Sequence, residues 1–401
     1  MPYLPHQIEK SDQLEQIMRS KYMACLWGAP RSGKTRTAIR TASRLVSGKT
    51  CLVLTKKNAI PGWQSEINAC GADVRFHVTN YEQAAKLNSD VFSLIIVDES
   101  HNLNKTGRAT QRFNNIRRLC LHRPVIFLTG TPAIEKQVGL FYQLGVTKFS
   151  PFNQFKNFYE FFRAYGIPNQ IKISGRYIEQ YNKAKPALME QVLPYVVTMT
   201  QDDAGISANA TDQVHLVSLA DQTKQLINTI RNDAVATING VTYAFESDMA
   251  IRAAVHQVET GAVLLDNNIV HLPNNEVVEY IARTFGDSDD VALMAHFRST
   301  REKLARLLPK AHIYSSDGHA EGVDLSHYNH FVIVNSGYSG AKFVQRRERI
   351  VNINRTTDAV VHHIITDAGI SADVYDAVSN KKDFNIRLFR HARTKRTEKN
   401  T

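Results

Sequence analysis

The chain has 401 residues, 43% of them hydrophobic and 22% charged, which excludes a disordered or fibrous protein and supplies material for two or three packed domains. A formal net charge of +11, from 49 Lys and Arg against 38 Asp and Glu, points to a polyanionic partner, nucleic acid first. No apolar run approaches the roughly 20 residues that span a bilayer, and Met1–His6 has no basic-then-apolar leader pattern. The four cysteines (Cys25, Cys51, Cys70, Cys120) lack C-x-x-C spacing, so they predict buried thiols of a reducing, cytoplasmic compartment, with no zinc site or disulfide framework.

In chain order, Leu4-Pro5-His6-Gln7 precedes a helical pattern of Ile8, Leu14, Ile17 and Met18. Gln7 is either an ordinary surface glutamine or an amide able to pair with the edge of adenine. The apolar run Tyr22–Trp27 predicts a strand and Arg36–Ala42 a helix. Between them, Gly28-Ala29-Pro30-Arg31-Ser32-Gly33-Lys34-Thr35 fits G-x-x-x-x-G-K-[ST], the phosphate-binding loop. Its glycines let the backbone curl so that successive N–H groups point at phosphate oxygens, ahead of a helix N-terminus that favours anions. Lys34 would reach the outer phosphates of ATP and the Thr35 hydroxyl would hold Mg²⁺.

Thr50–Thr55 predicts a buried strand ending in the basic turn Lys56-Lys57, suited to a sugar–phosphate backbone. Pro61-Gly62-Trp63 opens another helix, with Trp63 a core residue in preference to a base-stacking platform. Val74–Tyr81 predicts a further strand whose polar end carries Asn80 and Tyr81. The apolar run Phe92–Val97 stops abruptly at Asp98-Glu99-Ser100-His101. Two carboxylates ending a buried strand are costly unless a cation or a reacting group faces them. Mg²⁺ on Asp98 and a water activated by Glu99 would account for both, and a helix N-cap by Asp98 or Ser100 is the plain alternative. Val125–Leu128 is a fourth such strand, ending in Thr129-Gly130-Thr131-Pro132, where two hydroxyls could sense a γ-phosphate. Apolar strands alternating with helices predict a doubly wound parallel sheet.

Read together and in this order, the motifs resemble a superfamily 2 helicase, most closely its Swi/Snf-type branch. The set is Pro5-His6-Gln7, Gly28–Thr35, Leu52–Lys57, Thr79–Glu82, Asp98–His101, Thr129–Pro132 and the aromatic stretch Phe152–Tyr165. The resemblance implies two tandem RecA-like domains with a helical insertion between them. The boundaries it suggests are 1–150 for the ATP-binding domain, 151–213 for a helical protrusion, 214–380 for the second domain and 381–401 for a basic tail. Where the family ends its protrusion in paired arginines, this chain reads Val196-Val197-Thr198-Met199-Thr200.

Farther on, Val291–Phe297, the helical run Thr300–Leu308, Glu321–Leu325, Phe331–Val334 and the basic helix Lys342–Arg349 are similar to motifs IV, V and VI. The resemblance implies that Gly322 and Asp324 join the nucleotide cleft, that Gln345 and Arg349 match motif VI with Arg349 as arginine finger, and that Thr129 and Thr131 couple hydrolysis to movement. Asn352 replaces the motif's second arginine, with Arg346 and Arg355 as candidates to assist. The expected partner is DNA, single-stranded, forked or branched, gripped by Lys56, Lys57, Asn80 and Tyr81, with RNA as the alternative and a monomeric motor as the form. A clamp that binds ATP with negligible turnover is the other class left open. The tail's eight basic residues against Asp383 and Glu398 are a solvated segment or a phosphate-binding arm.

Overall fold

The computed structural model describes residues 3–132, 136–173, 176–206, 208–316, 325–347, 350, 355 and 357–380. The chain divides into two units, one containing Met1–Gly205 and the other Ile206–Lys382. No helix among the described residues is long and apolar enough to cross a membrane.

The first unit is built on six strands: β1 (Met23–Gly28), β2 (Thr50–Thr55), β3 (Arg75–Asn80), β4 (Leu94–Val97), β5 (Val125–Thr129) and, after the hairpin β6 (Asn169–Ile173) and β7 (Arg176–Gln180), β8 (Val196–Met199). They form a parallel sheet in the order β3-β2-β4-β5-β1-β8. Alternate side chains leave opposite faces of each strand, and both faces of β1, β2, β4, β5 and β8 are buried. Ala24, Leu26, Val53, Ile96 and Leu128 face a layer that contains Leu14, Ile39 and Trp63 of the helices Pro5–Lys21, Lys34–Leu45 and Ile60–Cys70. Cys25, Leu54, Val97 and Phe127 face Ile116, Phe158, Phe161 and Leu188 of Gln111–Cys120, Phe158–Tyr165 and Ala187–Val192. A strand buried on both faces must be apolar throughout, which is why β4 and β5 read as unbroken hydrophobic runs.

The second unit holds a parallel sheet of five, in the order β15-β14-β16-β17-β9. These are β9 (Ala210–Val217), β14 (Val291–Ala295), β15 (His312–Ser315), β16 (His330–Ile333) and β17 (Ala359–Thr366). Two hairpins precede β14 in the chain, β10 (Val235–Ile238) with β11 (Val241–Ala244), and β12 (Ala262–Leu265) with β13 (Asn268–His271). Two RecA-like α/β sheets in tandem are thus the architecture.

The stretch 151–213 contains the helices Phe158–Tyr165 and Ala187–Val192. It also carries the β6–β7 hairpin, and its Val196–Met199 is apolar and joins the first sheet beside β1. The aromatic residues Phe152–Tyr165 form a core stripe, with Phe158 and Phe161 buried against Phe141. Cys25, Cys51 and Cys120 are buried, with burial pushing their thiols up, whereas Cys70 is half-exposed; all four are free. The basic tail 381–401 lies outside the described residues.

Candidate nucleotide site

Strand order gathers the motifs. β5 lies between β1, which ends in the glycine loop, and β4, which ends in the acidic pair. Trp27 of β1 is level with Thr129 of β5, and Val97 of β4 with Phe127 of β5. Gly28–Thr35, Asp98-Glu99 and Thr129-Gly130-Thr131 therefore leave the same, carboxyl-terminal edge of one sheet, where open α/β sheets bind ligands.

The glycine loop holds itself in shape. Ala29 N–H donates to the Met199 carbonyl at 2.8 Å, and Ser32 Oγ donates to the Ala29 carbonyl at 2.7 Å. Gly33 has φ +90°, the left-handed region that glycine adopts without strain, and the helix begins at Lys34 directly after it. Lys34 Nζ donates to the carbonyls of Gly28 at 2.8 Å and Ala29 at 3.0 Å. Pro30 and Arg31 form the loop's turn, Arg31 with φ +63°, and Thr35 is half-buried in the first helical turn. Gly130 closes against this loop: a Cβ there would stand 3.2 Å from the Gly28 carbonyl oxygen and 3.8 Å from Lys34 Nζ.

The helix Pro5–Lys21 supports the loop from the other side. His6 Nε2 is 3.0 Å from the Ser32 carbonyl oxygen. Gln7 is buried, its Oε1 accepts from the Leu4 N–H at 3.1 Å, and its amide nitrogen leaves no room for a Cβ on Gly33. The buried amide is thus a brace between helix and loop.

Asp98 is 8% exposed and fully engaged. Its Oδ2 accepts from Thr55 Oγ1 at 2.7 Å and Trp63 Nε1 at 2.8 Å, and its Oδ1 from the Glu99 N–H at 3.0 Å. Leu54 pairs with Val97 across β2 and β4, which puts Thr55 level with Asp98. Burial pushes the Asp98 carboxyl up, the Glu99 charge adds to this, and the Trp63 and Thr55 bonds oppose it. Glu99 behaves oppositely. Burial raises it, but the bond and charge of His101, with the charges of Lys34 and Lys56, outweigh burial and hold it at about 2. Glu99 has φ +48°, a left-handed conformation uncommon outside glycine and a mark of functional turns.

His101 links the carboxylate to the next turn. Its Nδ1 is 3.2 Å from Glu99 Oε2 and 3.0 Å from Thr129 Oγ1, which in turn accepts from the Thr131 N–H at 3.0 Å. Thr131 Oγ1 is buried and has no hydrogen-bond partner among the described residues. Ser100 Oγ accepts from Gln143 Nε2 at 2.8 Å, and Asn104 Nδ2 donates to the Pro132 carbonyl at 3.0 Å.

The four positions expected to grip nucleic acid divide. Lys56 is half-buried at the end of β2 and Lys57 is exposed. Asn80 caps a short 3₁₀ turn by accepting from the Gln83 N–H at 3.1 Å. Tyr81 does not fit the expectation. It is 4% exposed and its hydroxyl donates to the Asp98 carbonyl, because an aromatic residue following β3 falls under the acidic turn. Thr55, Trp63, His6 and Gln143 are supporting residues to which sequence reasoning assigned no role at this site, and Tyr81 is one to which it assigned a different role. Only Trp63 carried a signal, as a bulky residue expected in the core.

In the second unit, Gly322, Asp324, Arg349 and Asn352 lie outside the described residues. Gln345 is buried on the helix Gly340–Arg347. Arg346 is wholly buried and donates to the Ser316 carbonyl, and Arg355 donates to the carbonyls of Ser326 and Tyr328 at 2.8 and 3.1 Å. Both sets of bonds lie within the second unit.

No family model matches the chain, and no curated protein matches it. Among solved structures it is similar to the Sulfolobus solfataricus SWI2/SNF2 ATPase core in complex with dsDNA. That match has a TM-score of 0.45 at 16% identity and covers 96% of this chain and 92% of the other.

Proposed function

We propose that the chain is an ATP-hydrolysing motor acting on DNA, with the first unit as its nucleotide-binding half. The observation that carries this reading is the convergence of the glycine loop, Asp98-Glu99 and the Thr129–Thr131 turn on one sheet edge, with Gly130 packed beside Lys34.

The residues fit ATP and Mg²⁺. Mg²⁺ is usually held by one or two protein groups besides substrate phosphates, and Asp98 with Thr35 would be those groups. A divalent ion would offset the burial that pushes Asp98 up. When bound, the ion and nucleotide supply the γ-phosphoryl group and the charge that screens it. Gly28–Thr35 would cradle the phosphates through backbone N–H groups, and Lys34 would exchange two loop carbonyls for phosphate oxygens. Glu99, ionised across the physiological range, would orient the attacking water by accepting its proton. The His101–Thr129–Thr131 chain would carry the state of that carboxylate to the neighbouring turn. The net charge of +11 and the placement of Lys56 and Lys57 suit a phosphate backbone. The Swi/Snf-type order of motifs favours DNA over RNA.

Steady-state ATP hydrolysis tests this, with no nucleic acid, single-stranded, duplex and forked DNA, and RNA in parallel. Strong stimulation by DNA, abolished by Glu99→Gln with nucleotide binding retained, is the expected result. Greater stimulation by RNA would overturn the choice of partner. No stimulation by any nucleic acid would replace the motor with a clamp of negligible turnover.

A further inference from the structure

Away from the nucleotide site, the first unit contains a cavity of about 370 Å³, within the range that holds small ligands. It opens between the loop 105–110, the helix Gln111–Cys120 and the start of the helix Phe158–Tyr165. Seven of its fifteen lining residues are aromatic and three are Arg or Lys; no carboxylate lines it among the described residues. This is unusual company for an aromatic stripe. The buried rings, Phe152 and Phe158, belong to the core, but Tyr159 is 46% exposed and Phe155 half-buried. Arg108 and Lys156 are exposed at the rim. The nearest acid on the helix, Glu160, turns back to accept the Lys156 backbone N–H at 3.1 Å.

We propose that this cavity is a base-binding subsite for an unpaired nucleotide of a DNA strand, the base stacking on Tyr159 and Phe155 and the flanking phosphates meeting Arg108 and Lys156. Aromatic platforms beside a positive track are how proteins hold single strands without reading sequence. The charge of the rim selects an anionic occupant, and the rings select one with a flat apolar face. A nucleotide supplies both. The segment lining the cavity is tied to the turn after β5: Tyr142 Oη donates to the Gly107 carbonyl at 2.6 Å, and Asn104 of the same segment donates to the Pro132 carbonyl. The subsite rests on the proposed action on DNA and adds to it a preference for unpaired bases.

The test is fluorescence anisotropy of the full chain with labelled oligothymidylate and with an abasic oligomer of equal length. Oligothymidylate is expected to bind about 5- to 150-fold more tightly, the factor expected for stacking one base. Tyr159→Ala should erase the difference and Tyr159→Phe should keep it, while an unchanged melting temperature shows that the fold is intact. Arg108→Gln and Lys156→Gln should weaken both oligomers alike and lower the slope of log affinity against log salt by about 0.7 each. Equal binding of the two oligomers, unmoved by Tyr159→Ala, would overturn the subsite while leaving DNA as the partner. Absence of binding to either oligomer and to duplex DNA would overturn both.

Discussion

The indole N–H of Trp63 donates to Asp98 across 2.8 Å, so a tryptophan in the helical layer on one sheet face holds a carboxylate at the sheet's edge. Asp98 oxygens accept three hydrogen bonds, and the side-chain donors, Trp63 and Thr55, share Oδ2. Trp63→Phe keeps most of the apolar bulk and removes one donor. The expected loss is about 10- to 100-fold in Mg²⁺ affinity or turnover, as for other residues that orient a metal ligand. A Mg²⁺ titration of ATP hydrolysis reads it, and a melting curve separates it from unfolding.

His101→Ala removes the bond and charge that hold Glu99 at about 2. Burial then dominates and the Glu99 carboxyl rises. Because a base works in its ionised form, the sign is fixed: the acid limb of hydrolysis moves to higher pH in the variant. Glu99 itself sets no limb in the wild type between pH 4 and 8. A pH–rate profile of the two proteins checks this, and superimposable profiles would refute it.

Gly33→Ala places a methyl group against the buried Gln7 amide in a backbone with φ +90°. Left-handed strain alone costs about 1–3 kcal/mol. Loss of nucleotide affinity and a lower urea midpoint are expected together. Adding Gln7→Ala should restore part of the stability but leave the strain, a split that a double-mutant cycle measures.

His362 predicts the acid response of the second unit. Burial holds its imidazole down to about 4, and His215, His330 and His363 push in the same direction. His215 Nε2 lies 2.9 Å from His362 Nδ1, bridging β9 and β17. A histidine depressed by folding is neutral in both states above pH 6.5. Below that, the unfolded chain takes up the proton first, so stability falls from about pH 6.5 to about 4. His362→Gln should flatten this dependence in urea melts, whatever it does to stability at pH 8.

Much of the first sheet is readable because its strands are continuous apolar runs, each cut off by a chemically distinctive turn. Thr50–Thr55 is a strand with the bounds its sequence suggests, and Asp98 follows the end of β4. What the sequence does not display is sheet order. Trp63, Thr55 and Tyr81 come together on Asp98 only because β2, β3 and β4 are neighbours, a relation made by crossover connections and not by spacing along the chain. The β10–β11 hairpin was legible in principle: Asn239-Gly240, with φ +51° and +80°, is a strong two-residue turn signal between short runs of β-branched residues. Val196–Val197 stands where the family pattern has paired arginines. Its own apolar character pointed instead to a sheet strand.

The ammonium of Lys34 is already bonded to the carbonyls of Gly28 and Ala29. Charge-assisted bonds of this kind are each worth about 1.5–3 kcal/mol. Under the proposed function an arriving phosphate would compete with the protein's own backbone, and its affinity would reflect a difference between two sets of bonds. The loop would in this sense be self-inhibited towards weak anions: a single small anion would replace what it displaces and gain little, whereas a polyphosphate that also engaged the backbone N–H groups would gain on several contacts at once.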